Sequence, residues 1–177
     1  PFPAVSCISV NDEVVHGIPG PRQLREGDIV SIDTGCRLNG WCGDAAVTHP
    51  VGKVNTTATR LLQVTHADLE LAIKQLAVQQ RWTQISRLMQ KFVEREGFTI
   101  VESLVGHGIG RKLHEAPQVP NYYEPKHVAD DFDIRPGIVI AIEPMINAGS
   151  KEIRTLADDW TIITADRSLS AHFEHTV

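Results

Sequence analysis

Asn39-Gly40 is the pair that most narrows what this chain can fold into. It joins two β-type runs, Gly27-Asp28-Ile29-Val30-Ser31-Ile32-Asp33-Thr34-Gly35-Cys36 and Trp41-Cys42-Gly43-Asp44-Ala45-Ala46-Val47-Thr48. Asn-Gly is the dipeptide favoured in a two-residue type I′ hairpin, so the turn fixes the register. Residue 38 then faces 41, 33 faces 46 and 35 faces 44. Asp33 and Asp44 become diagonal neighbours on one face, with Cα atoms about 7–8 Å apart. Two carboxylates so placed repel and raise one pKa. A shared cation explains the pair better than two chance surface acids, provided that Gly35 or Gly43 does not introduce a bulge and shift the register.

A third carboxylate closes an apolar run, Ile138-Val139-Ile140-Ala141-Ile142-Glu143-Pro144. Without polar alternation, the run reads as a strand covered on both faces. Pro144 has no N–H and ends the ladder, which leaves Glu143 at a strand terminus where a cleft can open. A charge at the end of a buried run needs a partner. By itself the sequence leaves two readings, a structural ion pair with an Arg or a metal ligand.

Histidines stand in comparable settings. His16 follows Val14-Val15 and precedes Gly17-Ile18-Pro19, at a strand-to-loop edge. Gly106-His107-Gly108-Ile109-Gly110 is not a phosphate loop, because its glycine spacing is wrong and Pro117 and Pro120 prevent a following helix. Its glycines instead let backbone pack closely around His107, and His114 follows in an extended segment. The C-terminal stretch His172-Phe173-Glu174-His175-Thr176-Val177 reads as one strand, with His172, Glu174 and Thr176 on one face. Glu174 is there either a ligand or an ordinary solvated acid.

Between these stretches lie two amphipathic helices. Thr56 or Thr57 caps the first, whose Leu61, Leu62, Leu69, Ala72, Ile73 and Leu76 form a stripe ending near residue 78. Thr83 caps the second, with Ile85, Leu88, Met89, Phe92 and Val93 at helical spacing and Gly97 as its stop. Phe98 to Val101 and a hairpin of Lys151–Thr155 with Trp160–Thr164 add short strands, and a loop rich in charge and proline covers 122–136.

Composition excludes several classes. A net charge of -5 offers no basic footprint for nucleic acid, and no segment supplies the roughly 18 apolar residues of a membrane span. The 177 residues are expected to form a single domain over 1–177, with both termini truncated. Cys7, Cys36 and Cys42 cannot all pair and lack zinc-type spacing, so they are expected to be reduced, in a cytoplasmic protein.

Asp33, Asp44, Glu143 and Glu174 with one histidine, His107, make a hard, oxygen-rich donor set. It suits two divalent ions sharing bridging carboxylates, an arrangement that activates water and polarises a carbonyl together. The chemistry so indicated is hydrolysis, with further histidines free to serve the scissile group.

The runs NDEVVHGIP, GDIVSID, GWCGD, GHGIGRKLHE, IEPMINAG, KEIRT and DRSLSAHFEHT resemble, in order and over nearly the whole chain, those of the type I methionine aminopeptidases. The resemblance implies an α/β (α+β) pita-bread fold, creatinase/aminopeptidase-like, whose pseudo-twofold β-sheet and helices enclose a dimetal site. It implies Asp33, Asp44, His107, Glu143 and Glu174 as metal ligands. Asp44 and Glu174 would bridge the ions, His107 and Glu143 would hold one, and Asp33 the other. Glu143 would also be the general base, His114 would stabilise the developing oxyanion, and His16 would contact the scissile amide. Phe2, Cys7, Leu113 and Trp160 match positions lining the pocket for the methionine side chain. Leu113, Phe2 and Gly35 depart from the residues usual in the family, yet no ligand is missing.

The expected cofactors are two divalent ions, Co, Mn, Fe or Zn. The expected partners are nascent polypeptides and Met-initiated peptides with a small second residue, with ribosome association. A monomer is expected, with no nucleic-acid or membrane partner. The competing readings are a non-catalytic binding protein of the same fold and an Xaa-Pro aminopeptidase or prolidase.

Overall fold

At the Asn39-Gly40 turn both residues take positive φ, 52° and 83°, as a type I′ hairpin requires. The structure, a computed structural model, describes residues 1–125 and 130–177. Strands β3 (Ile29–Leu38) and β4 (Trp41–Pro50) pair with Leu38 opposite Trp41, Asp33 opposite Ala46 and Gly35 opposite Asp44. No bulge intervenes at Gly35 or Gly43.

The hairpin lies within a seven-stranded sheet. Its other members are β1 (Cys7–Val10), β6 (Gly106–Gly108), β7 (Glu115–Val119), β8 (Ile140–Ile142) and β13 (Glu174–Thr176), in the order β1-β3-β4-β13-β8-β6-β7. Two three-stranded sheets accompany it. One runs β10 (Ile153–Thr155), β11 (Ile162–Thr164), β2 (Glu13–Val15), and the other β12 (Ser170–His172), β9 (Met145–Asn147), β5 (Thr99–Ile100).

Helices α1 (Thr56–Gln75) and α2 (Trp82–Arg95) bury their apolar stripes against these sheets. Leu61 and Ile146 lie in one core cluster, and Leu69, Ile85, Met89, Ile140 and Ile142 in another. Each such buried side chain stabilises the fold by about 1.5–3 kcal/mol.

Several boundaries differ from expectation. The α1 cap is Asn55, whose side-chain oxygen accepts from the Ala58 N–H at 2.8 Å, not Thr56 or Thr57, and the helix ends at Gln75. In α2, Thr83 is already helical, and its N–H and hydroxyl donate to Asp131 at 2.9 and 2.8 Å. A carboxylate distant in sequence thus adds to the local cap, in which the Gln84 side chain accepts from the Arg81 N–H at 3.0 Å. The loop expected over 122–136 includes 126–129, which lie outside the described residues.

The Glu143 run is ladder-paired only over Ile140–Ile142. Val139 is 45% exposed, because a turn in which the Ile138 N–H donates to the Arg135 carbonyl, with Gly137 at positive φ, delays the strand. The C-terminal stretch is not one strand. It breaks at Phe173, so β12 and β13 enter different sheets, and the Phe173 N–H reaches the Pro144 carbonyl. The stretch from His107 to His114 is likewise not extended throughout, since β6 folds back on β7. Among the described residues, no helix is long and apolar enough to cross a membrane.

Candidate metal centre

Strand register assembles the site. Across the large sheet, Asp33 of β3 faces Ala46 of β4, and Ala46 faces Glu174 of β13. Two residues along β4, and therefore on the same face, Gly35 faces Asp44. The Thr176 hydroxyl binds both the N–H and the carbonyl of Asp44 at 2.8 Å, which ties β13 to β4 at that point. Thr176 then faces Ala141 of β8, and Ala141 faces His107 of β6. Glu143, two residues beyond Ala141, lies on that same face. Small residues at Gly35, Ala46 and Ala141 leave the space into which the larger side chains project. A Cβ on Gly35 would stand 3.3 Å from Asp44 Oδ1.

His107 is held by close backbone packing. A Cβ on Gly106 would strike the Ala141 carbonyl and one on Gly108 the Ala116 carbonyl, so glycine is required on both sides. His107 Nε2 lies 3.5 Å from Glu143 Oε1 and 3.9 Å from Asp44 Oδ2. The β6–β7 turn brings His114 back over it, with ring centroids 4.4 Å apart. His16 enters from β2 with φ of 58°, a left-handed conformation that costs a non-glycine residue roughly 1–3 kcal/mol. The next residue, Gly17, is pressed so closely on the Ile8 backbone that no side chain fits.

The electrostatics are those of a cation site. Asp44, His107 and Glu174 each present a ligand atom within 4.8 Å of the other two, while Asp33 and Glu143 stand beside this group. Burial, followed by the charges of Glu143, Asp44 and Asp33, pushes the Glu174 carboxyl well up. Burial and then Asp33 push Asp44 up to about 6. Burial also raises Asp33. Among the described residues Glu143 makes no ion pair with an arginine; its nearest ionisable neighbours are the imidazoles of His107 and His172. Like charges crowded out of water without a cationic side chain fit a divalent metal, and hard oxygen donors with one imidazole suit such an ion.

Two cavities flank the carboxylates. One of about 620 Å³ takes in Phe2, Cys7, Leu113 and Trp160 together with His16, His114, Asp33 and Asp44. Phe2 and Trp160 meet edge to face at 5.3 Å, giving this cavity an aromatic wall. The other, of about 420 Å³, is lined by His107, Glu143, Leu104, Met145 and His172 among others. His16, His114 and Asp33 border both cavities, and Glu174 lies buried beside Asp44 and His107 without lining either. Burial pulls His16 and His114 below the ordinary imidazole pKa, which keeps them neutral near pH 7. Sequence reasoning gave His172 and Met145 no role. The one signal was the alternation that put His172 on the same face as Glu174.

A model of metallopeptidase family M24 matches residues 1–177. The chain is 48% identical over 171 residues to methionine aminopeptidase 1 of Bacillus subtilis, covering 97% of this chain and 68% of that protein. It is 49% identical over 176 residues to the methionine aminopeptidase of Clostridium perfringens, covering 99% and 70%. The crystal structure of methionine aminopeptidase from Thermotoga maritima superposes with a TM-score of 0.90 at 44% identity, covering 97% of this chain and 68% of that one. Prolidase from Pyrococcus furiosus superposes at 0.72 with 20% identity, over 98% and 45%, a likeness of fold alone. The architecture is the pita-bread fold.

Proposed function

Because the chain belongs to metallopeptidase family M24, we propose that it is a methionine aminopeptidase, removing the N-terminal methionine from nascent chains and peptides with a small second residue. The observation that carries this reading is the cluster of Asp44, His107 and Glu174, with Asp33 and Glu143 beside it, between two cavities, one of them aromatic-walled. Its proposed ligands are Asp33, Asp44, His107, Glu143 and Glu174, holding two divalent ions of the Mn, Fe, Co or Zn type. When bound, the ions supply Lewis acidity and a water nucleophile at neutral pH.

The chain's own groups do the rest. Phe2, Cys7 and Trp160, with Leu113, receive the methionine side chain; an apolar wall suits the polarisable thioether. Glu143, set at the end of β8, takes a proton from the attacking water and delivers it to the leaving amine. Neutral His114, against His107, donates a hydrogen bond to the oxyanion as charge develops there. His16, fixed by its strained backbone and by Gly17, donates to the scissile amide. The substrate's free amino group would bind at the metal site, which restricts cleavage to the first bond. Cytoplasmic action on chains leaving the ribosome, by a monomer, belongs to the same proposal.

The test is release of free methionine from Met-Ala-Ser by metal-stripped protein with and without added Mn or Co, with Leu-Ala-Ser as control. Metal-dependent, Met-selective release is expected. No release from protein shown to bind divalent metal would favour a non-catalytic protein of this fold, and release from Met-Pro substrates alone would favour an Xaa-Pro peptidase. Glu143→Gln is expected to lower kcat by about 10²–10⁴-fold.

A further inference from the structure

His172 is buried, 2% exposed, and among the described residues neither of its ring nitrogens has a hydrogen-bond partner. A buried imidazole left in that state is costly. Its backbone is fixed: the His172 N–H donates to Thr48 Oγ1 at 2.9 Å, and the Thr48 hydroxyl, in turn held by Ser31, donates to the His172 carbonyl at 2.8 Å. Opposite it across β12–β9 is Met145, the second residue after Glu143. This pairing directs the ring toward the carboxylate, and His172 Nε2 stops 3.6 Å from Glu143 Oε2. On the other side, His107 Nε2 is 3.5 Å from Oε1 of the same carboxylate. The two oxygens of Glu143 therefore have different neighbours.

Resting on the aminopeptidase reading above, we infer that His172 is a positioning residue for Glu143: a neutral ring carrying its hydrogen on Nε2 donates to Oε2, and Oε1 is left to the His107 side. The inference assigns the two oxygens their work. Oε1 belongs with the ligand atoms of His107 and Asp44, and Oε2 is the oxygen that exchanges the proton. A separation of 3.6 Å is longer than a hydrogen bond, but catalytic hydrogen bonds are commonly long before substrate is bound and tighten with it. Asn121 Nδ2 donates to the Glu143 carbonyl at 3.1 Å, so the backbone is already held and a small side-chain rotation closes the gap. Of Asp33 and Glu143, only Glu143 lies within 4.0 Å of the His172 ring.

Two variants and two readouts test this. With Mn-loaded protein and Met-Ala-Ser, His172→Leu is expected to lower kcat by about 10- to 100-fold with KM nearly unchanged, the loss expected for a hydrogen bond to a charged group. His172→Gln, whose amide N–H replaces the Nε2 donor, is expected to recover most of that loss. Mn affinity measured by calorimetry is expected to fall by no more than about 10- to 100-fold in His172→Leu, and by less in His172→Gln. Unchanged kcat in His172→Leu, or equal losses in both variants, would each overturn the assignment. The second readout needs no turnover: in ¹⁵N-histidine spectra of the metal-free protein, His172 should carry its hydrogen on Nε2, and that resonance should move in Glu143→Gln. An Nδ1-protonated ring, or a resonance indifferent to Glu143→Gln, refutes the inference even if wild-type protein releases no methionine, an outcome that would sink only the aminopeptidase reading.

Discussion

Cys7 stands directly opposite Asp33 across the β1–β3 pair, so a thiol and a carboxylate share the wall of the larger cavity. Burial, then the charge of Asp33, pushes the Cys7 thiol up to about 12. The thiolate is the reactive form, and at pH 8 Cys7 has almost none. Iodoacetamide at that pH should label exposed Cys36 well before Cys7, read by peptide mass mapping. Early labelling of Cys7 would show that the two groups are not packed together.

Glu174 and Asp44 hold their protons more tightly than ordinary carboxyls, while bound metal requires them ionised. Mn binding at pH 7 should therefore release protons, and affinity should fall as pH is lowered. Calorimetry in two buffers of different ionisation enthalpy measures the release directly. The same titration should raise the melting temperature; ligand at 100 times its Kd contributes about 2.7 kcal/mol. Glu174→Gln should weaken both effects.

Trp160 closes the aromatic wall over Phe2 and lies 6.3 Å, centroid to centroid, from His16. Trp160→Ala removes apolar contact with the methionine side chain, a loss of about 1.5 kcal/mol, or roughly tenfold in KM. Since the contact is the same in ground and transition states, kcat should change much less. A selective fall in kcat instead would place Trp160 closer to the reacting bond.

Asp68, on the buried face of α1, is 0% exposed and among the described residues neither of its carboxyl oxygens is hydrogen-bonded, and burial holds its carboxyl well above the ordinary range. Below the ordinary carboxyl pKa both folded and unfolded chains hold the proton. As pH rises the unfolded chain ionises first, so stability falls until the folded pKa is passed. Asp68→Ala should stabilise the protein by about 1–3 kcal/mol at pH 7, with a smaller gain near pH 4. Denaturant melts at the two pH values check both size and sign.

The parts of this protein readable from sequence were those governed by neighbours along the chain. Asn39-Gly40 set the β3–β4 register because a two-residue turn admits one pairing, and with it the shared face of Asp33 and Asp44. The helical stripes were legible because burial of one helix face imposes its period on the residues. What escaped was whatever a distant segment supplied: the Asp131 carboxylate at the start of α2, the turn that shortens β8, and the break at Phe173 that sends β12 and β13 into separate sheets. Resemblance to a family named the five candidate ligands, but spacing alone could not bring His107 to Asp44. Only the pairing of β4 with β13, β13 with β8 and β8 with β6 does so, since the order of strands in a sheet is set by packing across the whole chain. The place of His172 beside Glu143 is likewise tertiary: its neighbour is chosen by the β9–β12 pairing and by the Thr48 hydroxyl, neither of which leaves a mark in the local sequence.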